Sequence, residues 1–262
     1  MNYLESLPLF DSVILGIGGL IAGCLAGLLG IGGGILMVPL MVALGIAHTQ
    51  GVATSSFAML VISLSGSWQN WRMGNLNFQK ILILGFPSLV TAQLGVYLLQ
   101  YIPSSILMTC FAGLLIANIY LIQLRRNLSK NEDIQVTVKI TWLLNLGRFL
   151  TGSTAGLLAG LFGIGGGIIM VPLQIMLLGE SMNVAASTSL GVVVLSSSSA
   201  LLGHAIKGNV IYSLGIMLGI TGAIGVQLGT RLLPKIITLI ASLNSQTNQA
   251  DNSTKPTPEP LE

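Results

Sequence analysis

Long stretches without a charged side chain constrain this sequence more than any other feature. No Asp, Glu, Lys or Arg lies between Asp11 and Arg72, and the next such stretch runs from Lys80 to Arg125. A water-soluble helix would carry charges along its solvent-facing side, whereas a membrane span needs about 20 apolar residues to cross about 30 Å of hydrocarbon. Each of these stretches has room for two or three spans. The chain is therefore predicted to be an all-α, polytopic integral membrane protein.

The composition supports a membrane environment. Hydrophobic residues make up 52% of the 262 residues and charged residues 7%, whereas soluble domains carry roughly 25% charged residues. So few charges cannot cover the water-exposed surface of a soluble domain. A disordered chain is excluded as well, because disorder requires low hydrophobicity. Membrane lipid is therefore expected to surround most of the chain.

Charged residues and helix breakers divide the apolar stretches into nine predicted spans. They lie near 11–29, 31–46, 51–68, 80–100, 104–124, 141–162, 164–179, 184–203 and 209–230. A shorter apolar piece at 234–243 is either a tenth span or a segment at the interface, so about eight to ten helical segments are expected. The pieces 31–46 and 164–179 are short for a full crossing and fit half-helices or re-entrant segments.

The same division predicts four parts of the chain. Residues 1–124 form an N-terminal membrane repeat, and residues 141–243 form a C-terminal membrane repeat. Residues 125–140 contain four basic side chains and form a loop that is expected in the cytoplasm. Residues 244–262 are polar, include three prolines and are expected to be disordered.

Basic residues predict the orientation in the membrane, because cationic loops tend to stay in the cytoplasm. Arg72 and Lys80 flank one loop, the segment 125–140 forms a second, and Arg231 follows the last long span. With nine spans these three places lie on one side, and Lys207 falls on the other. The N-terminus is therefore expected outside and the C-terminus in the cytoplasm.

The chain contains an internal repeat at a shift of 133 residues. Residues 19–42 read GLIAGCLAGLLGIGGGILMVPLMV and residues 152–175 read GSTAGLLAGLFGIGGGIIMVPLQI, with 17 of 24 positions identical. At the same shift, the stretch 53–56 (ATSS) aligns with 186–189 (ASTS). One inserted residue later, Gly74-Asn75 aligns with Gly208-Asn209, and Gln93-Leu94-Gly95 aligns with Gln227-Leu228-Gly229.

The span count predicts that the two repeats are inverted relative to each other. Five predicted spans separate Gly32 from Gly165, and an odd number of crossings reverses the second copy. Inverted repeats that meet near the bilayer midplane are the architecture of many secondary transporters. A parallel duplication in a structural membrane protein would require a different span count.

Glycines recur in two patterns within each repeat. Glycines four residues apart form smooth helix stripes where another backbone can approach closely, and we interpret them as packing surfaces. These stripes are Gly19, Gly23 and Gly27 in the first repeat, and Gly152, Gly156 and Gly160 in the second.

The second pattern is the run GIGGG, at 30–34 and again at 163–167. Each glycine in a helix interior costs about 1 kcal/mol relative to alanine, so both runs predict a helix break. Pro39 and Pro172 follow five residues later and are expected to set the break, because proline removes a backbone donor. A helix that restarts there offers free N–H groups and the positive end of its dipole, which suits an anion. The alternative is a hinge or a tight helix contact.

Each repeat contains two kinds of candidate anion-binding group, which are backbone N–H groups of the glycine run and side-chain hydroxyls. The backbone candidates are Gly32, Gly33, Gly34, Gly165, Gly166 and Gly167, and the hydroxyl candidates are Thr54, Ser55, Ser187 and Thr188. Hydroxyls can donate to an anion or bond back to the helix backbone. Gln93 and Gln227 lie inside apolar spans and are expected to join helices at least as much as to contact a ligand.

Several kinds of chemistry lack the residues that they need. No His, Cys, Asp or Glu cluster has metal-ligand spacing, and His48 and His204 are expected at the interface, so neither a metal nor another cofactor is predicted. No Gly-Lys-Ser/Thr follows a glycine run, which excludes a nucleotide site. The scattered basic residues form no nucleic-acid groove. No nucleophile–base arrangement is suggested, so the chain is not expected to be an enzyme.

The paired motifs GLLGIGGGILMVPL and GLFGIGGGIIMVPL, with ATSS and ASTS downstream, resemble the TauE/SafE family of sulfite exporters. The resemblance covers both repeats, over residues 11–240. It implies a multi-pass protein of the bacterial inner membrane that moves sulfite, sulfoacetate or another small organosulfur or carboxylate anion. Members of this family differ in substrate and in direction, so the resemblance specifies neither.

The sequence therefore predicts a permease for a small anion that binds at the glycine runs. On this interpretation, Gly33→Leu and Gly166→Leu should abolish flux and destabilise the fold less than Gly23→Leu and Gly156→Leu. A structural or regulatory membrane protein without a substrate, and a passive anion channel, are the alternatives. The anion, the direction, the coupling ion and the oligomeric state are not specified by the sequence.

Overall fold

The computed structural model describes residues 9–30, 32–128 and 141–253, which form nine α-helices and no strand. The helices are α1 (Leu9–Leu29), α2 (Gly34–Ala43), α3 (His48–Arg72), α4 (Phe78–Leu98), α5 (Ser104–Leu128), α6 (Thr141–Phe162), α7 (Gly167–Leu178), α8 (Met182–Ile206) and α9 (Tyr212–Ser253). Stretches of α1, α3, α4, α8 and α9 are long and apolar enough to cross a membrane. The predicted all-α, polytopic membrane architecture is confirmed.

The two shortest helices follow the glycine runs. Helix α2 has 10 residues and α7 has 12, so at about 1.5 Å per residue each covers only about half of the hydrocarbon thickness. Helix α2 folds back along α1, because Gly33 lies at Ala22 and Leu40 lies at Gly18. Helix α7 folds back along α6 in the same way. Both short pieces are therefore half-helices, and each repeat begins with a long helix, a break and a returning half-helix.

The last helix is longer than the sequence predicts. Helix α9 continues without interruption from Tyr212 to Ser253, so the apolar piece 234–243 belongs to it and is not a separate tenth span. No glycine or proline lies between Pro234 and Ser253, so no residue in that segment breaks the helix. The predicted disordered tail therefore overlaps the end of α9, and residues 254–262 lie outside the described part of the chain.

The predicted basic loop also overlaps a helix. Helix α5 extends through Arg125 and Arg126 to Leu128, and residues 129–140 lie outside the described ranges. Helix α5 therefore continues past residue 124, where the first repeat was predicted to end.

The two repeats exchange their fourth helices, α4 and α9. Helix α1 of the first repeat packs along α9 of the second, and α6 of the second packs along α4 of the first. Helix α9 also packs on α3, helix α4 packs on α8, and α3 and α8 contact each other. Each of these pairings thus has its counterpart in the other repeat, and the halves form one interlocked body.

The register of close contacts gives the directions of the packed helices. Gly19 of α1 lies at Leu218 of α9, and Gly27 lies at Val226, so the residue numbers rise together and these helices run in the same direction. The same holds for α6 on α4, for α3 on α9 and for α4 on α8. Helices α1, α3 and α9 therefore share one direction, and so do α4, α6 and α8.

The interior and the outer surface are both apolar. The largest buried cluster combines side chains from α1, α2, α3, α8 and α9, including Leu15, Met41, Met59, Leu190 and Leu218. Large apolar side chains also cover the outside, among them Ile17, Val90, Ile116, Leu202 and Ile220, each at least half exposed. Such an apolar exterior fits lipid as the surrounding solvent.

A side-chain amide compensates for the proline in α7. Pro172 has no N–H, so the carbonyl of Ile168 four residues earlier lacks its usual helical donor. Asn118 of α5 is 5% exposed, and its Nδ2 donates to that carbonyl oxygen. A buried carbonyl without a donor would destabilise the fold, so this contact secures the peripheral helix α5 against the half-helix.

Candidate functional site

The two glycine runs meet at the centre of the protein. A Cβ atom at Gly34 would lie 2.5 Å from the carbonyl oxygen of Gly163, and one at Gly32 would overlap the carbonyl oxygen of Ile164. The glycines allow this approach in two ways, because they lack a side chain and because several adopt a left-handed backbone, with φ of 88° at Gly32 and 81° at Gly165. The starts of both half-helices are thus brought together.

The prolines do not mark the break, contrary to expectation. The half-helices begin at Gly34 and Gly167, and Pro39 and Pro172 lie inside them, in the second turn. The left-handed glycines before each start reverse the chain, so the glycine run alone makes the break. Each proline instead removes one backbone donor within its half-helix.

The repeats correspond in a register that differs by one residue from the sequence alignment. The glycine runs match at the predicted shift, but α3 begins at His48 and α8 at Met182, one residue further. The inserted residue therefore precedes the hydroxyl clusters instead of following them. Thr54 corresponds to Thr188 and Ser55 to Ser189, so the alignment of ATSS with ASTS was wrong by one position.

Two hydroxyls hold the glycine runs in this register. The Oγ of Ser55 donates to the carbonyl oxygen of Gly163 at 2.9 Å, and the Oγ of Ser189 donates to the carbonyl oxygen of Gly30 at 2.7 Å. Each bond joins the third helix of one repeat to the glycine run of the other. Sequence reasoning selected Ser55 but missed Ser189, because the alignment matched Ser189 with Ser56.

The other hydroxyl candidates lie nearby in different environments. Thr54 Oγ1 accepts a hydrogen bond from the backbone N–H of Ile211 at 3.1 Å. Ser187 Oγ donates to the carbonyl oxygen of Val184 within its own helix. Thr188 is completely buried, and its Oγ1 has no hydrogen-bond partner among the described residues. Three candidates thus serve the backbone here, and Thr188 remains unused.

Gly33 and Gly166, the middle residues of the two GGG triplets, have no space beside them. A Cβ at Gly33 would lie 2.9 Å from the backbone of Ala22, and one at Gly166 would overlap the carbonyl oxygen of Ala155. The expectation that leucine would fill ligand space at these positions therefore needs revision, because each glycine contacts the backbone of the preceding long helix. The first turn of each half-helix still begins here, and its N–H groups have no helical acceptor.

The glycine stripes pack helix on helix. A Cβ at Gly23 would overlap the backbone of Gly222, and one at Gly156 would overlap the carbonyl oxygen of Ser88. The same crowding occurs along both stripes, where α1 contacts α9 and α6 contacts α4. Their interpretation as packing surfaces agrees with these contacts.

The intramembrane amides join the repeats. Gln93 Nε2 donates to Ser199 Oγ, and Gln227 Nε2 donates to Ser65 Oγ, both at 3.1 Å. These contacts are repeat-related and favour the helix-joining role over ligand contact in this conformation.

The two histidines are more buried than the sequence suggests. His48 is 7% exposed and His204 is completely buried, and both lie inside helices that are longer than the predicted spans, since α3 begins at His48 and α8 continues to Ile206. Lys207 follows α8 directly, and its Nζ donates to the carbonyl oxygen of Val96 at 3.0 Å. Desolvation lowers the pKa of Lys207, and the nearby Tyr97 opposes that shift. In the described ranges, no group of His, Cys, Asp or Glu could hold a metal ion.

The motifs that form this centre identify the family. The family model described as "Sulfite exporter TauE/SafE" matches residues 15–240. The chain belongs to the TauE/SafE family. It is a multi-pass membrane protein of a family of membrane transporters.

Relatives match over nearly their whole length. A probable membrane transporter protein of Methanocaldococcus jannaschii is 28% identical, covering 92% of this chain and 93% of the relative. The probable membrane transporter protein YdhB of Bacillus subtilis is 30% identical, covering 82% of this chain and 89% of the relative. YunE of the same organism, also described as a probable membrane transporter, is 27% identical over 87% and 92%. No solved structure is significantly similar to the chain.

This TauE/SafE protein also has a polar pocket that sequence reasoning missed. The pocket has a volume of about 300 Å³ and lies between the α3–α4 loop and the start of α8. Its polar lining comes from Asn75, Asn77, Lys80, Asn183 and Ser187. Lys80 Nζ donates to Glu180 Oε1, which links the first repeat to the connection before α8. The close spacing of Asn75, Asn77 and Lys80, in the α3–α4 loop and the first turn of α4, could have indicated this pocket. In the sequence analysis, Lys80 was related only to the orientation of the chain in the membrane.

Proposed function

We propose that this chain is a permease that moves a small anion across the cell membrane. The class includes sulfite, organosulfonates and related sulfur-containing or carboxylate anions. The observation that carries the proposal is the meeting of the two glycine runs, one from each repeat, where both half-helices begin.

The chemistry of this centre favours an anion. The N-terminal ends of the half-helices α2 and α7 point into the same region, and each presents N–H groups and the positive end of a helix dipole. Gly32, Gly33 and Gly34 with Gly165, Gly166 and Gly167 supply this backbone. In many secondary transporters, broken helices bind an anionic group in this way near the midplane.

We further infer that the two repeats are inverted in the membrane. Helices α1 and α9 share a direction, and the start of α8 lies beside the end of α1, because Ala186 contacts Gly30. Helix α8 then ends next to the start of α9, so it runs opposite to α9 and to α3. The third helices of the two repeats thus run in opposite directions, as inversion requires. The orientation with the N-terminus outside and the C-terminus in the cytoplasm follows from the basic loops.

Flux into liposomes that contain the pure protein tests the function. The panel is sulfite, sulfate, thiosulfate, sulfoacetate and a set of carboxylates, with protein-free liposomes as the control. We expect saturable uptake of at least one anion and stimulation of uptake by the same anion inside the vesicle. Uptake that neither saturates nor shows counterflow would favour a passive channel. No uptake of any panel member would favour a structural or regulatory membrane protein.

A further inference from the structure

The two repeats share their inter-helix hydrogen bonds. Three bonds occur in both halves at equivalent positions. They are Ser55 to Gly163 with Ser189 to Gly30, Gln93 to Ser199 with Gln227 to Ser65, and Ser199 to Leu89 with Ser65 to Ala223. This agreement defines which residues of the two repeats correspond. An inter-helix bond that forms in only one half therefore identifies a place where the two halves differ in conformation.

One such bond is present in only one half. Thr54 Oγ1 accepts from the N–H of Ile211, which joins the start of α3 to the start of α9. The equivalent pair in the other half is Thr188 with the N–H of Asn77. Thr188 Oγ1 is buried without a partner among the described residues. A buried hydroxyl without a partner is unfavourable, so this hydrogen bond is closed in one half of the protein and open in the other.

The polar pocket lies beside the position of the missing bond, and Thr188 itself is completely buried and does not line it. Asn77 and Ser187, which precedes Thr188, both line the pocket of about 300 Å³. In the closed half, the residue equivalent to Ser187 is Ala53, and the one equivalent to Lys80 is Leu214, both completely buried. At these two positions the pocket is therefore polar and cationic, whereas its counterpart is apolar and buried.

The charges at the pocket favour a negative ligand. Lys80 is partly exposed and is the cation of the lining, and the amides of Asn75, Asn77 and Asn183 add neutral donors. Glu180 holds Lys80 in an ion pair but does not itself line the pocket. An arriving anion would compete with Glu180 for the ammonium group.

We propose that this pocket is a vestibule that binds the transported anion on the side of the Arg72–Lys80 loop, and that it closes when Thr188 accepts the N–H of Asn77. The proposal rests on the proposed transport function and deepens it. Ser189, two residues after Ser187 on α8, donates to the carbonyl oxygen of Gly30, so the helix that lines the vestibule also contacts the first glycine run. In the opposite conformation the Thr54–Ile211 bond breaks and the other end opens.

Labelling of an introduced cysteine tests access to the vestibule. In a background with Cys24→Ala and Cys110→Ala, Ser187→Cys is exposed to the anionic reagent sulfonatoethyl methanethiosulfonate. We expect it to be modified in inverted membrane vesicles, from the cytoplasmic side, and not in vesicles of the opposite orientation. Its repeat-related control, Ala53→Cys, should remain unmodified from the cytoplasmic side. Asn183→Cys at the same pocket replaces Ser187→Cys if that variant does not fold.

The charge of the reagent tests whether the vestibule prefers anions. The anionic reagent should react faster than its trimethylammonium counterpart. Lys80→Gln should slow the anionic reagent about fivefold and speed the cationic reagent about fivefold, so the ratio of the two rates should fall about 25-fold, as expected for one unit charge at about 4 Å in water. Glu180→Gln should strengthen the preference, because it frees Lys80. No modification of either cysteine, or a preference that is unaffected by Lys80→Gln, would overturn the vestibule.

A matched pair of threonine variants tests closure. Thr188→Val removes a hydroxyl that is unbonded in the structure, so it should leave thermal stability unchanged or raised, and it should slow flux because the closing bond cannot form. Thr54→Val should lower stability, because it leaves the N–H of Ile211 unpaired. Normal flux in Thr188→Val would overturn the closing role.

The labelling results and the flux results are independent. If the wild-type protein moves no anion but Ser187→Cys labels with the expected charge preference, the proposed function fails and the anion-binding pocket stands. If transport is found and Ser187→Cys and Asn183→Cys resist labelling from both sides, the vestibule fails alone.

Discussion

Single residues decide how closely the helices of this protein approach. At Gly23 the neighbour is the backbone of Gly222, which cannot rotate away as a side chain would. A methyl group there must push α1 and α9 apart. At Gly113, on the exposed face of α5, a Cβ would meet no atom within 4 Å. The same substitution at these two glycines therefore has opposite consequences.

We predict that Gly23→Ala destabilises the protein by about 1–3 kcal/mol through overpacking, whereas Gly113→Ala is neutral or slightly stabilising because alanine favours the helix. Thermal unfolding in detergent measures both variants. Equal stabilities would show that the α1–α9 contact is looser than the structure indicates.

A second prediction concerns the amide that compensates for a proline. Asn118→Leu should destabilise the protein by about 1–3 kcal/mol, because it leaves the carbonyl of Ile168 without a donor. In a Pro172→Ala background the helix supplies that donor itself, so the same substitution should cost less. The double-mutant cycle measured by unfolding in detergent gives the coupling. Additive effects would contradict the assigned hydrogen bond.

The third prediction compares Gly33 and Gly166, the middle residues of the two GGG triplets. Gly33 has φ of −74°, an ordinary helical value, whereas Gly166 has φ of +78°. Both contact a neighbouring backbone, but only the second also needs a left-handed conformation, which costs a residue with a Cβ about 1–2 kcal/mol. Gly166→Ala should therefore lower unfolding stability more than Gly33→Ala. The reverse order would argue against this backbone geometry.

At the scale of helices, the sequence predicted the order of elements well. Nine spans were expected, and each has a helix at nearly the same residues, because long apolar stretches bounded by charges leave few alternatives. The half-helices were also anticipated from their length. The end of α9 was not, because the last span was placed at 209–230 and the piece 234–243 was treated separately, whereas one helix includes both.

The candidate site was predicted less completely than the helices. The glycine runs were found from their repetition, but their contact with each other depends on packing that pairs residues far apart in sequence. The position of the inserted residue could not be read from the ATSS and ASTS stretches, because hydroxyl residues match at either of two shifts. The polar pocket escaped notice because Lys80 and Asn183 come from different repeats.

At the scale of the whole molecule, the fourth prediction concerns orientation. Reporter fusions after Leu76 and after Ser129, which lies outside the described residues, should report the cytoplasm, and a fusion after Gly208 should report the outside. The reason is the basic loops together with the opposite directions of α3 and α8. Leu76 and Gly208 on the same side of the membrane would refute the inversion.

The exchange of the fourth helices also has a consequence for synthesis. Among the described helices α1 is made before the others, whereas the partner of its glycine stripe, α9, is made after them, so α1 must remain in the bilayer with that surface uncovered until α9 is inserted. Helix α6 has its packing partner from the start, because α4 is already in the membrane when α6 is inserted. A chain interrupted before Tyr212 would therefore have a covered second half and an uncovered first half. Among the described helices, the last to be made therefore completes the packing of the first.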